Sequence, residues 1–69
     1  NPNLKHGPKL SVQSDANLRE DAQSSANIVN TIRKGEIVFF DSFLKGWVKV
    51  ITATQDVGYV DSKYLHIVN

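Results

Sequence analysis

Residues 15–35 read DANLREDAQSSANIVNTIRKG, and the fold turns on whether this stretch is one helix or two strands. Local rules admit a helix. Asp15 is a good N-cap, Leu18, Ala22, Ala26, Val29 and Ile32 recur at helical spacing, and Gly35 stands where a C-cap belongs. Such a face would bury little, because two of its five positions are Ala and its middle is Gln-Ser-Ser-Ala-Asn. The other reading is a short strand at Ala16–Arg19, a polar loop at 20–27 and a strand at Ile28–Ile32. Pattern alone leaves both open.

On the C-terminal side the signals are of one kind. Residues 36–41, EIVFFD, are β-branched and aromatic and predict a strand. Residues 42–46 read as a loop. Trp47–Thr52 alternates with period two, which puts Val48 and Val50 on one face and Trp47, Lys49 and Ile51 on the other. A hairpin loop at 53–56, a strand at 57–60, a tight turn at 61–63 and a last strand at 64–68 complete the series. On the N-terminal side, residues 10–13 alternate as a short strand that Ser14 and Asp15 can end. The first eight residues hold both prolines and show no periodicity. Residues 1–9 are therefore expected to be a linker or tail, and 10–69 the domain.

Composition narrows the function classes. A chain of 69 residues makes one domain with a thin core. It has no cysteine, which removes disulfides, a thiol nucleophile and thiolate metal sites. Eight Lys and Arg stand against seven Asp and Glu, with the signs interspersed and no basic stripe, so nucleic acid is not an expected partner. No apolar run approaches the roughly 20 residues of a membrane span, so no membrane insertion is expected. His6 and His66 lack a third ligand at metal spacing, and no serine lies in a nucleophile-elbow context. The expectation is a non-enzyme with no catalytic residue, metal or cofactor.

Four segments carry a family resemblance. GWVKV at 46–50, followed by a hairpin and GYVDSKYL at 58–65, is similar to the second half of a Src-homology-3 (SH3) domain. There a Trp opens a strand, and a Gly-aromatic-Val segment leads through one 3₁₀ turn to a Tyr and an aliphatic residue. ANLRED at 16–21 and IVNTIRKGEIV at 28–38 resemble the opening and middle segments of the bacterial branch (SH3b). The segments stand in the family's order, and the resemblance covers 10–68. It implies an all-β fold, a small SH3-like barrel of five to six short antiparallel strands with a 3₁₀ turn near residues 61–63. Residues 20–27 then form the long loop between two strands, and Ala22 and Ala26 are not core positions.

The departures restrict what carries over. The eukaryotic branch binds proline-rich helices on a groove of stacked aromatics. Here the matching region, ANLRE at 16–20, has no aromatic, and Asp61 replaces the proline that usually precedes the turn. Proline-rich recognition is not expected. Trp47 and Tyr64 remain of the groove. In one reading Trp47 is a flat ligand anchor and Tyr64 walls the same cleft with its hydroxyl as a polar handle. Glu20, Asp21 and Asp61 then supply acceptors for an amine or a peptide N–H, and Phe43, in a loop beside Trp47, extends the surface. In the other reading Trp47 caps a thin core and the acidic residues are solvated loop charges. Tyr59 and one of the adjacent Phe39 and Phe40 read as structural, with the other Phe turned outward.

The resemblance implies a non-catalytic binding module of a bacterial cell-envelope or secreted protein, recognising peptidoglycan or a peptide. A second implied role is a structural domain that packs against and shapes an adjacent peptidase or wall-hydrolase domain. The expected partners are a peptidoglycan peptide, a protein peptide or a neighbouring domain of the parent chain, and the domain itself is expected to be a monomer.

Overall fold

The period-two segments are strands, and their apolar faces meet in one core. The computed structural model describes residues 8–68, so most of the expected tail lies outside the described residues. The strands are β1 (Lys9–Val12), β2 (Ala16–Arg19), β3 (Ile28–Ile32), β4 (Ile37–Leu44), β5 (Trp47–Thr52), β6 (Val57–Asp61) and β7 (Leu65–Val68). They form a single antiparallel sheet in the order β3-β2-β6-β5-β4-β1-β7. One 3₁₀ turn, Ser62–Tyr64, joins β6 to β7, and the described residues contain no α-helix. The all-β expectation holds. The strands number seven rather than five to six.

Burial decides the ambiguous stretch. As a strand, β2 sends Ala16 and Leu18 inward, and Leu18 is wholly buried, as is nearly all of Ile32 at the end of β3. Ala22 and Ala26 lie outside the core. The intervening loop is closed by backbone and side chain together. The Glu20 N–H donates to the Asn27 carbonyl at 3.0 Å, and the Asn27 side-chain amide returns a bond to the Glu20 carboxylate at 2.9 Å. Along the open edge of β3 and the residues after it, backbone donors are taken by side chains. Thr31 N–H donates to Asn30 Oδ1, Arg33 N–H to Glu36 Oε1, and Lys34 N–H to Asp15 Oδ1. Within β3 itself the Thr31 N–H is thereby withdrawn from an incoming strand.

Nine aliphatic side chains make the core. Leu10 and Val12 come from β1, Ala16 and Leu18 from β2 and Ile32 from β3. Val38, Val48, Val50 and Val60 complete it from β4, β5 and β6, and Phe40, Tyr64 and Leu65 pack against it from the rim. Thr52 is the buried polar residue among those described. Its hydroxyl accepts the Asp56 N–H at 3.0 Å and bonds the Thr54 hydroxyl. The Asp56 carboxylate in turn accepts from Thr54 and from the Asn30 amide, tying the β5–β6 turn to β3. A buried hydroxyl without such partners would be costly.

The expected loop at 42–46 is corrected. β4 continues to Leu44, which pairs with Trp47, and the connection shrinks to Lys45 and Gly46. Both have positive φ, 49° and 85°, as a two-residue hairpin turn requires if its twist is to match the strands. The register shift between Phe40 and Ser42 makes Asp41 an extra, unpaired residue in the ladder. The polar Asp41-Ser42 pair therefore marks a β-bulge, not a strand end. Phe43 consequently sits in a strand opposite Val48 and not in a loop.

β2 crosses β6 at a single registered pair, Arg19 with Tyr59. A Cβ on Gly58 would stand 2.7 Å from Leu18 Cγ and 2.8 Å from the Arg19 carbonyl oxygen. Only glycine lets the two strands approach this closely. Gly58→Ala is expected to cost about 1–3 kcal/mol through overpacking, a large share of the roughly 3–10 kcal/mol available to a chain of this size. Urea denaturation followed by circular dichroism measures it; an unchanged midpoint would mean that the seam is looser than described.

Candidate functional site: a cleft between the β2–β3 arm and the 3₁₀ turn

Strand alternation buries Val48 and turns Trp47 to the outer face, where register sets it between Leu44 on β4 and Asp61 on β6. Asp61 ends β6 and caps the 3₁₀ turn, its Oδ1 accepting the Lys63 N–H at 3.1 Å. The Ser62 N–H donates to the Gly46 carbonyl at 3.0 Å, which fastens the turn to the β4–β5 hairpin. These bonds hold Tyr64 half-buried, with the core on one side and solvent on the other. The Lys63 Nζ lies over the Tyr64 ring, 5.3 Å from its centroid.

The opposing wall is the outer face of the β2–β3 arm. Asn17 and Thr31 are register partners there, with 3.4 Å between the Thr31 hydroxyl and Asn17 Oδ1. Arg19 follows on the same face, and its guanidinium donates to the Ala26 carbonyl at 2.8 Å. Asp15 stands at the start of the arm and Ser24 in the loop. The two walls enclose an open cleft of about 290 Å³, with Trp47, Asp61, Lys63 and Tyr64 facing Asn17, Arg19 and Thr31.

Of the residues singled out in the sequence, Trp47, Tyr64 and Asp61 share this cleft. Glu20 and Asp21 do not line it. Glu20 braces the loop through Asn27, and Asp21 accepts the Ala22 N–H at 2.8 Å within the loop itself. Phe43 projects from the hairpin tip, 60% exposed, outside the cleft. Phe40 packs on the core, and Phe39 pairs with Ile51 on the outer face. The cleft also recruits Asp15, Asn17, Arg19, Thr31 and Lys63, none of which the sequence reading selected. A signal for the first three existed. With Ala16 and Leu18 turned inward, alternation places Asp15, Asn17 and Arg19 in one outer row. Nothing local marks Lys63.

The family model of the bacterial SH3 domain matches residues 14–66. The chain belongs to the bacterial SH3 domain family. No curated protein and no solved structure matches it. The matched span of this bacterial SH3 domain contains every residue that lines the cleft. The family is one of binding modules rather than catalysts, and an SH3 domain engages protein or peptide in general terms.

The outward, half-buried Trp47 stands apart from the buried core of this SH3 domain. Trp47→Ala is expected to keep a dispersed nitrogen-15 correlation spectrum and cooperative unfolding. Leu18→Ala, at a wholly buried position, is expected to lose about 2–5 kcal/mol. Equilibrium unfolding of the two variants side by side checks this, and a larger loss for Trp47→Ala would make Trp47 a core residue in energetic terms.

Proposed function

We propose that this SH3 domain is the peptide-recognising module of a bacterial cell-envelope or secreted protein, and that it takes a peptidoglycan peptide or a protein peptide in the cleft. The observation that carries the reading is the placement of Trp47 and Tyr64. Both line the cleft, while the core closes on nine aliphatic side chains without an aromatic among them. A half-buried Trp offers a large rigid surface at little entropic cost, and the Tyr64 hydroxyl gives a polar handle beside it. Asn17 and Thr31 on the opposite wall carry donors and acceptors suited to peptide amides. At the edge of β3 the Thr31 N–H is taken by the Asn30 side chain, which disfavours addition of a strand there. So small a site gives weak intrinsic affinity, which tethering to further domains raises.

Trp47 fluorescence provides the test. A soluble muropeptide digest and a pool of short synthetic peptides are titrated into the domain, and at least one pool is expected to change the emission saturably. Trp47→Phe, followed through Tyr64 resonances, is expected to weaken that binding, and Phe43→Ser is expected to leave it unchanged. Binding by neither pool would contradict the reading.

The hairpin tip favours a second role. Phe43 and Leu44, at the end of β4 beside the two-residue turn, are 60% and 44% exposed, and an exposed Phe at a hairpin tip suits a contact with a neighbouring catalytic domain. Under this role the domain packs against and shapes a peptidase or wall-hydrolase domain, and Phe43→Ser lowers the thermal stability of the parent protein while Trp47→Ala does not.

A further inference from the structure

Each wall of the cleft is fastened to a hairpin turn whose own residues do not line it. On one side the Ser62 N–H donates to the Gly46 carbonyl at 3.0 Å. The 3₁₀ turn held there presents Asp61, Lys63 and Tyr64 to the cleft. On the other side the Asn30 side chain joins the β2–β3 arm to the β5–β6 turn. Its amide donates to the Asp56 carboxylate at 3.1 Å, and its oxygen accepts the N–H of Thr31, a lining residue. The two turns stand at opposite ends of β5.

The turns also share a backbone feature. Among the described residues, the non-glycine positions with positive φ are Lys45, at 49°, and Gln55, at 72°, one in each turn. Left-handed backbone costs free energy at a residue with a Cβ, and it persists where the surroundings fix it. The second turn is fixed on the buried Thr52. Its carbonyl accepts the Gln55 N–H, its hydroxyl accepts the Asp56 N–H, and its own N–H donates to the Asp56 carbonyl. The first is closed by the Leu44–Trp47 pair and relies on Gly46 at φ 85°.

We infer that these turns are the mounts of the cleft. Gly46 is the positioning residue of the wall that carries Tyr64, and Asp56 that of the wall that carries Thr31. The inference rests on the peptide-binding reading for its functional consequence and on the ties alone for its geometry. A change in either turn shifts one wall while the lining side chains stay intact.

The experiment compares Gly46→Ala, Asp56→Ala and a matched control, Gly35→Ala. Gly35 has φ 92°, and a Cβ there, as at Gly46, meets nothing within 4 Å, so the two alanines impose similar backbone strain. Gly35 carries neither tie. In the free domain, Gly46→Ala is expected to speed amide exchange at Ser62 about fivefold relative to Val50, the scale of one backbone hydrogen bond, and to shift Tyr64. Asp56→Ala is expected to shift Thr31 and Asn17 and leave Ser62 in place, and Gly35→Ala to displace neither set. Should Gly46→Ala not fold, Gly46→Asn, milder because Asn tolerates positive φ, is read at the same signals with the same expected pattern. Both tie variants are expected to weaken binding of the muropeptide or peptide pool about three- to fivefold, and the control to leave it unchanged. Equal effects of the Gly46 and Gly35 variants on Ser62 and Tyr64, or an unmoved Thr31 in Asp56→Ala, overturn the mounts. Walls that shift with no change in binding overturn the positioning role and leave the peptide-binding reading standing. Absence of wild-type binding removes that reading, and the free-domain signals still decide whether the turns hold the walls.

Discussion

The close approach of β2 to β6 over Gly58 is the constraint on which the remaining features depend. It seats Leu18 directly over a position with no side chain, and so brings the β2–β3 arm against a sheet that would otherwise end at β6. Ala16, Leu18 and Ile32 enter the core by this route. The opposite face of the same arm becomes one wall of the cleft. Core and site are thus two sides of one hairpin, and any change that lifts the arm loosens both. Asp56 reinforces the arrangement from the far end, where its carboxylate links the β5–β6 turn to Asn30 on β3.

Within this frame the side chains divide by type. Valine supplies five of the nine core positions, including all four in β4, β5 and β6, where branched side chains pack well on a pleated surface. The larger aromatics stay at the rim or outside. A chain this short has little interior to spare, and a ring the size of indole is better placed across the outer ends of strands than within. The result is a domain whose buried core and cleft lining draw largely on different residues, with strand alternation keeping them apart. Ala16 and Tyr64 are the exceptions: Ala16 belongs to the core, Tyr64 packs on it, and both also line the cleft, so a substitution at either mixes the two effects.

Much of this was legible in the sequence wherever the period was clean. Trp47–Thr52 fixes its own faces, and the turn after Asp61 is placed by its residues. The 15–35 stretch was ambiguous because Ala22 and Ala26 complete a helical period that no partner surface uses. Long-range burial of Leu18, not local propensity, decides it. The end of β4 was misplaced because a bulge at Asp41 resembles a stop, and because Lys45 adopts positive φ without being a usual turn residue. Glu20 and Asp21 stand out in the sequence as charges, yet the loop uses them locally. Alternation puts Asp15, Asn17 and Arg19 in one outer row, but that this row faces the 3₁₀ turn is a placement that no short-range pattern encodes.

Trp47 and Tyr64 line the cleft while the fully buried core is aliphatic, and the proposed peptide recognition rests on these two side chains. Chemical-shift mapping tests this most directly. A nitrogen-15 correlation spectrum of the domain is recorded as a soluble muropeptide digest or the synthetic peptide pool is added. Shifts gathered on the Trp47 indole N–H, on Tyr64 and on Asn17, Arg19 and Thr31 across from them are the predicted result. A dispersed spectrum in which those signals stay fixed, or in which the shifts gather on the Phe43–Leu44 tip instead, would contradict it.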